Sequence, residues 1–195
     1  MTVALRALGG ADLAAALDDL ADLRIRVFAD WPYLYAGDRA YEADYLREFA
    51  ASPGAVLVAA HDGARIVGAA TAAPMIHQKR EFSDPFASAG IAIDRLFYFG
   101  ESVLLPDYRG QGIGHGFFDH REAAARAWNA DCACFAAVVR PPDHPARPDA
   151  YVPLDGFWRK RGYAPVPGLI TMLGWKDHGE ADETMKPMQY WMRRW

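Results

Sequence analysis

Cysteine is scarce in this sequence, with only Cys132 and Cys134 among 195 residues. The two thiols stand two positions apart on a stretch that we predict to be a buried strand, and this spacing is too short for an unstrained disulfide. A structural zinc site needs a second pair of Cys or His ligands, which the sequence does not place nearby. We therefore expect two buried thiols, and neither a metal site nor a redox function.

Long runs of like charge and long apolar runs are also missing. The chain has 21 basic and 25 acidic residues, a net charge of -4, and no basic block of the kind that nucleic-acid-binding proteins carry. No apolar window approaches the ~20 residues of a membrane helix, and residues 1–10 lack an apolar core with a cleavage site. We expect a soluble, cytoplasmic protein with no nucleic-acid or membrane partner.

What the sequence does contain is enough apolar material for one core. Hydrophobic residues make up 52% of the chain, so residues 1–195 are expected to form a single domain. The order of predicted elements is strand, two helices, two strands, then strand, helix, strand, then helix and two strands. This order predicts an α/β fold, a mixed sheet with helices on both faces.

The first half of the chain is predicted to form a strand, two helices and a hairpin. Residues 2–8 alternate like a strand, and residues 13–27 carry apolar side chains at helical spacing, with Asp12 as the expected helix cap. A second helix is expected after Asp38. Two β-rich runs joined by an Asp-Gly turn then indicate a hairpin.

The second half begins with residues 76–92, which are rich in Pro, Ser and Gly and are expected to be an irregular insertion. A long apolar strand follows at residues 94–106, and a helix is expected from Ile113. A further buried strand covers residues 132–140. A Pro-rich loop at residues 141–153 precedes a short helix and the two last strands.

Four glycines and Arg109 lie between the long strand and the next helix, in LLPDYRGQGIGHGFF. Such a turn can bind an anion, because the first turn of a helix has unpaired N–H groups and the helix dipole adds positive potential. Glycines let the backbone approach a pyrophosphate, and Arg109 adds a charge at its edge. Neither a Walker loop nor a Rossmann fingerprint fits, since Lys-Ser/Thr is missing and the turn lies in mid-chain.

The loop RGQGIG resembles the acyl-CoA loop of the GCN5-related N-acetyltransferase (GNAT) superfamily, whose signature is Arg/Gln-x-x-Gly-x-Gly/Ala. The resemblance extends to the preceding aliphatic-x-Pro, to the late FWRKRGY segment and to the element order of nearly the whole chain. It implies acetyl-CoA as cosubstrate, no metal, and a central mixed, mostly antiparallel sheet. The residues that it implies for CoA contact are Leu104, Leu105, Arg109, Gly110, Gln111, Gly112, Ile113, Gly114 and His115.

The resemblance also implies a catalytic geometry. In this family the fourth and fifth strands separate, and the acyl-pantetheine arm binds between them like an added strand. The main-chain N–H of Leu104 would then stabilise the carbonyl oxygen as negative charge develops on it. Glu101 lies in the same apolar run, where a carboxylate is costly unless it is paired or used. We expect Glu101 to act as general base for the acceptor ammonium, and the alternative is a hydrogen-bonded structural carboxylate.

The departing thiolate needs a second catalytic group only if it must be protonated as it leaves. Many family members use a tyrosine on the late helix, but here Trp158 has that position, and Tyr151 aligns with an asparagine that often contacts the cofactor. Tyr151 is the candidate acid, and packing within its loop is the alternative. A thiolate with an ordinary pKa of about 8.5 is a tolerable leaving group without an acid.

Two loops are expected to border the acceptor site. Trp31, Tyr33 and Tyr35 lie between the first two helices, where the family builds part of its acceptor pocket. Arg140 and His144 follow the fifth strand and would bind an acidic group of the substrate, Arg140 through its bidentate fork. In the alternative, the aromatic residues anchor the first loop in the core and the second loop is a rigid cover.

The sequence therefore predicts an acyl-CoA-dependent N-acetyltransferase that transfers acetyl directly to the amine of a small molecule, without a covalent enzyme intermediate. A protein or peptide amine is the alternative acceptor. A non-catalytic CoA-binding sensor of the same fold is the alternative from another class, favoured by the missing tyrosine and disfavoured by Glu101. A homodimer is left open.

Overall fold

The computed structural model describes residues 3–195, and its strands form one sheet. Met1 and Thr2 lie outside the described residues. They include the first position of the strand expected at residues 2–8 and the first two residues of the segment 1–10, in which no targeting signal was expected. The strands are β1 Ala4–Leu8, β2 Val56–Asp62, β3 Arg65–Pro74, β4 Leu96–Leu104, β5 Cys132–Val138, β6 Ala164–Trp175 and β7 Thr184–Arg194.

In the part of the chain that the structure describes, five helices accompany the sheet. They are α1 Gly10–Phe28, α2 Arg39–Ala51, α3 Arg80–Ser88, α4 Ile113–Ala127 and α5 Asp155–Lys160, with short 3-10 turns at Met75–His77 and Pro106–Tyr108. Asp12 is not the cap of α1, because the helix already begins at Gly10 and Asp12 lies in its first turn. There its charge still suits the positive end of the helix dipole. No helix within residues 3–195 is long and apolar enough to cross a membrane.

Helix α3 corrects the expectation of an irregular insertion at residues 76–92. Pro85 lies inside this helix and has no N–H for the carbonyl of Glu81, one turn earlier. The hydroxyl of Thr171 on β6 donates to that carbonyl at 2.5 Å, so the group that proline leaves without a donor is satisfied from the sheet. The buried ring of Phe86 then anchors the helix.

The sheet order is β1-β2-β3-β4-β5-β7-β6, and every pairing is antiparallel except that of β4 with β5. This mixed, mostly antiparallel sheet confirms the expected fold class. Strands β4 and β5 pair only over residues 96–98 and 132–134 and then diverge. We call the space between the unpaired parts, residues 99–104 and 135–138, the β4–β5 gap.

Helices cover both faces of the sheet. Helices α4 and α5 pack with Phe97, Phe99 and Phe135, whereas α3 packs on the other face with Leu96 and Tyr98. Helix α1 packs over β3 and β4 and against α2, and α2 lies on the α3 face, where Glu48 forms an ion pair with Lys79, the residue before α3, at 3.2 Å. The two cysteines belong to the α3 face as buried free thiols, which confirms that expectation. The described residues contain no group of three or more His, Cys, Asp or Glu that could hold a metal ion.

An irregularity in β4 decides which face receives Glu101. Two residues of β4, Gly100 and Glu101, stand opposite the single residue Thr71 of β3. A Cβ on Gly100 would lie 2.5 Å from the Thr71 hydroxyl oxygen, so this close approach requires glycine. The extra residue reverses the alternation of side chains, and Glu101 points toward α1 and α2 instead of joining Phe99 on the α4 face.

Candidate functional site

The glycine turn leads directly into helix α4. Gly110 has φ +75° and Gly112, at the N-cap, has φ +83°, a region that other residues adopt only with strain. Among the described residues, apart from each glycine and its two chain neighbours, no atom lies within 4 Å of where a Cβ on either residue would stand, so the surface above both glycines is open. The turn is held from behind by the Tyr108 hydroxyl, which donates to Asp62 at 2.7 Å.

This turn presents a row of free donors. Within residues 3–195, the backbone N–H groups from Gly110 to Gly114 have no hydrogen-bond acceptor, whereas His115 N–H already donates to the Gly112 carbonyl at 2.9 Å. The exposed Arg109 adds a positive charge beside them. Free N–H groups at a helix N-terminus favour an anion, so the arrangement fits a phosphate or pyrophosphate. Gly116 differs from the others, because a Cβ there would collide with Leu5 of β1 at 2.2 Å.

The backbone of Leu104 faces the β4–β5 gap. The next residue, Leu105, donates its N–H to Val67 of β3 at 3.0 Å. Since successive N–H groups of a strand point to opposite edges, the N–H of Leu104 points away from β3 and into the gap. Its carbonyl also lies on that side, where Arg109 Nε donates to it at 3.4 Å. The free N–H of Leu104 and the free donors of the glycine turn thus lie on the same side of β4.

Glu101 is held by residues of two helices. Arg24 of α1 forms an ion pair with Glu101 Oε1, and the hydroxyl of Tyr45 on α2 donates to Oε2 at 3.3 Å. Arg24 forms a second ion pair with Glu42 of α2. The side chains of Arg24, Glu42 and Glu101 are all at least nine-tenths buried. One guanidinium therefore faces two carboxylates, which leaves one net negative charge in the cluster.

Two groups of this cluster, Arg24 and Tyr45, keep their protons at neutral pH. Burial alone would lower the pKa of Arg24, but Glu101, Tyr45 and Glu42 together raise it above its ordinary value. Burial, and after it the charge of Glu101, raises the pKa of Tyr45 above its usual range. At neutral pH Arg24 is thus a cation, and Tyr45 is a hydroxyl donor to Glu101.

The α1–α2 loop, residues 29–38, lies on the same face as Glu101. The Tyr33 ring packs between Phe28, with centroids 4.6 Å apart, and Trp175, at 5.9 Å. Burial, and then the charges of Glu101 and Tyr151, raise the pKa of Tyr33 to about 12. Phe28 also contacts the Glu101 cluster, because the Arg24 guanidinium carbon lies 5.2 Å from the centroid of the Phe28 ring.

The other two aromatic residues of the loop point to different places. Trp31 lies 5.1 Å from the ring of His144 and 5.9 Å from that of Tyr151, centroid to centroid. Tyr35 lies beside Glu42, and burial and then that charge raise the pKa of Tyr35. Trp31 is therefore in contact with the Pro-rich loop after β5, whereas Tyr35 packs against α2.

Arg140 has its donors engaged within the protein. Its guanidinium donates to both carboxylate oxygens of Asp177, at 2.7 and 3.0 Å, and to the carbonyls of Pro32 at 2.8 Å and Tyr33 at 2.6 Å. Only 9% of its side chain is exposed. The sequence could not show these partners, which come from two distant segments. They favour a role in holding the α1–α2 loop over the expected role in binding an acidic substrate group.

Three residues considered from the sequence remain, namely Trp158, Tyr151 and His115. Trp158 packs against Phe135 and Trp191, so the position that carries tyrosine in the resembling family is filled here by a packing residue. Burial, and then Asp155, raises the pKa of Tyr151, which is half-buried and keeps its proton at neutral pH. His115 is exposed on α4 with its ring 4.9 Å from that of Phe157.

Several residues of the site were missed from the sequence, namely Arg24, Glu42, Tyr45 and Asp177. One signal was available for Arg24, which interrupts the apolar stripe formed by Leu20, Leu23 and Val27. A buried arginine on such a stripe requires a carboxylate partner. The other three give no comparable signal, because their partners come from other elements.

Comparison of the sequence with protein families gives one assignment. The sequence model of the family described as "Acetyltransferase (GNAT) family" matches residues 18–163, about three quarters of the chain. This span includes the Arg24 cluster, the glycine turn and α5. No curated protein matches the chain.

Solved structures share the fold over the whole chain. An aminoglycoside 6'-N-acetyltransferase complexed with coenzyme A is 18% identical, with a TM-score of 0.61, over 100% of this chain and 97% of that one. An acetyltransferase of the GNAT family from Streptococcus pneumoniae is 11% identical, with a TM-score of 0.60, over 99% of each chain. A ribosomal-protein-alanine N-acetyltransferase from Brucella melitensis is 15% identical, with a TM-score of 0.59, over 98% and 99%. At these identities the likeness shows the fold alone.

Proposed function

Because this chain belongs to the GNAT family of acetyltransferases, we propose that it transfers the acetyl group of acetyl-CoA directly to the amine of a small molecule. The observation that carries the proposal is the junction of two sets of free backbone groups. Donors at the glycine turn suit a pyrophosphate, and the unpaired edge of β4 beside them suits an extended pantetheine arm. A single CoA thioester would use both.

The cosubstrate fits the residues that are present. The N–H groups from Gly110 to Gly114 would hold the pyrophosphate, with Arg109 at its edge, and Leu104 and Leu105 would lie along the arm. Gln111 and His115 would flank the phosphates. Acetyl-CoA supplies an acetyl group already activated as a thioester. The open space above Gly110 and Gly112 supports the fit, because a Cβ there would occupy it.

Leu104 and Glu101 would divide the chemistry. The Leu104 N–H, directed into the β4–β5 gap, would donate to the thioester carbonyl oxygen and stabilise the charge that develops on it. Glu101, on the acceptor side of the same strand, would take a proton from the ammonium, directly or through one water. The net negative charge of its cluster favours an incoming cation. Tyr151 would serve as the acid if the thiolate requires one.

The acceptor would approach over the α1–α2 loop. Trp31, Tyr33 and Tyr151 supply aromatic surface there, next to the negatively charged Glu101 cluster. Aromatic faces and a carboxylate together favour a protonated amine. His144 would border the same space through its contact with Trp31.

Thiol release from acetyl-CoA tests the proposal. The acceptors are benzylamine, tyramine, spermidine, kanamycin and a peptide with a free N-terminal alanine. Release with one of the four small amines supports the proposal, and release with the peptide alone assigns a protein or peptide acceptor. If no amine releases thiol while CoA still raises the unfolding temperature, the chain is a CoA-binding sensor and the enzyme assignment is overturned.

A further inference from the structure

The α1–α2 loop connects two helices of one half of the sheet but docks on the other half. Helix α1 packs over β3 and β4, and α2 reaches β4 through Tyr45 and Glu101, so both lie on the near side of the β4–β5 gap. The loop nevertheless bonds to the turn between β6 and β7, through Ala36 N–H to Lys176 O at 2.9 Å and His178 N–H to Leu34 O at 2.7 Å. It therefore crosses the gap and forms a bridge over it.

One arginine joins this bridge to the end of β5. Arg140 donates to two successive carbonyls of the loop, Pro32 and Tyr33, and to both oxygens of Asp177. These acceptors lie in different directions, and the planar guanidinium reaches them all at once, which a lysine ammonium cannot do. Trp175 Nε1 adds a further bond to the Tyr33 carbonyl at 3.0 Å.

Asp177 is in turn held by charges that balance it. Lys186 lies 3.3 Å from Asp177 Oδ1 and 2.9 Å from Glu180 Oε2. Hydrogen bonding to Lys186, and then to the Asp177 N–H, lowers the pKa of Glu180 to about 2. With Arg140, the network holds two cations and two anions, so it needs no substrate charge for balance. This distinguishes it from the Glu101 cluster, which has one negative charge in excess.

We propose that Arg140 and Asp177 form a positioning pair that fixes the α1–α2 loop across the β4–β5 gap and so sets the affinity for the amine acceptor. The proposal rests on the proposed function for the identity of the bound amine. Trp31 precedes the anchored carbonyls and Tyr33 contains one, so their rings take their places from this pair. Across the described residues, neither member of the pair has a hydrogen bond or ion pair with Glu101 or with the glycine turn. The pair therefore acts on the acceptor without touching the reacting atoms.

The test compares Arg140→Lys with Arg161→Lys. Arg161 is a matched control, because its side chain is also mostly buried and ion-paired, with Asp119 and Glu122 on the opposite face of the sheet. With the panel amine that gives the fastest thiol release, Arg140→Lys is expected to raise the acceptor KM about tenfold or more and to leave the CoA-induced rise in unfolding temperature unchanged. Arg161→Lys is expected to leave the acceptor KM within about twofold of wild type.

Hydrogen exchange separates this proposal from the proposed function. Arg140→Lys and Asp177→Asn are each expected to speed exchange in residues 29–38 selectively, whether or not any panel amine is acetylated. Exchange in that loop at the wild-type rate in both folded variants overturns the positioning pair. So does an acceptor KM that stays at the wild-type value in an active Arg140→Lys enzyme, or one that rises equally in Arg161→Lys. Absence of thiol release with every amine overturns the proposed function instead, and loop exchange alone then decides the pair.

Discussion

The two carboxylates that share Arg24 allow the role of Glu101 to be tested against its own structural background. Glu101→Gln and Glu42→Gln each remove one negative charge from the same guanidinium and leave it paired with the other. Both substitutions keep the shape of the side chain and most of its hydrogen bonding. Only Glu101 lies on the strand that borders the β4–β5 gap, so only its loss removes the proposed base.

The two variants should be similarly stable. Each loses a charge-assisted hydrogen bond worth about 1.5–3 kcal/mol. For a chain of this length, 1 kcal/mol corresponds to about 2–4 °C, so unfolding temperatures should fall by roughly 3–12 °C in both. An equal fall in unfolding temperature shows that both substitutions weaken the shared cluster to the same degree. Any difference in turnover between the two variants then reflects the chemical step.

Turnover should separate them. A general base contributes about 10²- to 10⁴-fold, so Glu101→Gln should lose that much kcat at pH 7, whereas Glu42→Gln should lose less than about threefold. An amine with a pKa of about 10 has roughly a hundred times more free base at pH 9 than at pH 7. The deficit of Glu101→Gln should therefore shrink by up to about 100-fold between these pH values.

Thiol release is measured from pH 6 to pH 9 with acetyl-CoA saturating, and unfolding is followed with and without CoA. Equal turnover in the two variants, or wild-type turnover in Glu101→Gln across the range, would refute the assignment of Glu101 as base. Proton removal would then belong to solvent. A deficit that does not change with pH would show that Glu101 positions the amine and does not deprotonate it.

Three further predictions follow from the same structure. Gly112→Ala should fold at a cost of about 1 kcal/mol and lose most of the CoA-induced rise in unfolding temperature. The control Gly116→Ala should be less stable, because its Cβ clashes with Leu5, but should keep that rise. The reverse pattern would exclude the glycine turn as the phosphate site. Leu104→Pro removes an N–H that faces the β4–β5 gap, so it should reduce kcat about 10²-fold or more. Leu104→Val keeps this N–H and should have a kcat near that of the wild type. A Leu104→Pro enzyme that is folded and active would exclude this donor. Tyr33, with its pKa raised to about 12, stabilises the fold below pH 10 and loses that contribution as the pH rises toward 12. Between pH 10 and pH 12 the stability of Tyr33→Phe should therefore fall less steeply than that of the wild type. Parallel curves of stability against pH would place Tyr33 outside the buried cluster.

Local patterns predicted most of the fold. Apolar spacing and turn residues gave the order of strands and helices, and the family model and the solved structures confirm the fold. Helix α3 was missed because Pro85 argues against a helix. The Glu81 carbonyl, which Pro85 leaves without a donor, accepts instead from Thr171, 90 residues after Glu81. Contacts at such separation leave no local pattern in the sequence.

The site was predictable in its backbone and less so in its side chains. The glycine turn is a local feature of the sequence, and in the structure Gly110 and Gly112 have positive φ angles. Alternation along β4 would place Glu101 with Phe99, whereas the extra residue opposite Thr71 turns it to the other face. Local sequence left Arg140 open between binding an acidic substrate group and belonging to a rigid cover loop, because its partner Asp177 follows 37 residues later, beyond any local motif.

The faces on which the two substrates would bind have a kinetic consequence. The glycine turn lies at the N-terminus of α4, on one face of the sheet, and the α1–α2 loop lies on the opposite face. The β4–β5 gap connects the two faces. With the binding sites proposed above, each substrate would have its own route to solvent. Initial rates measured against both substrates should accordingly follow a random-order pattern, in which CoA can depart while the acetylated amine is still bound.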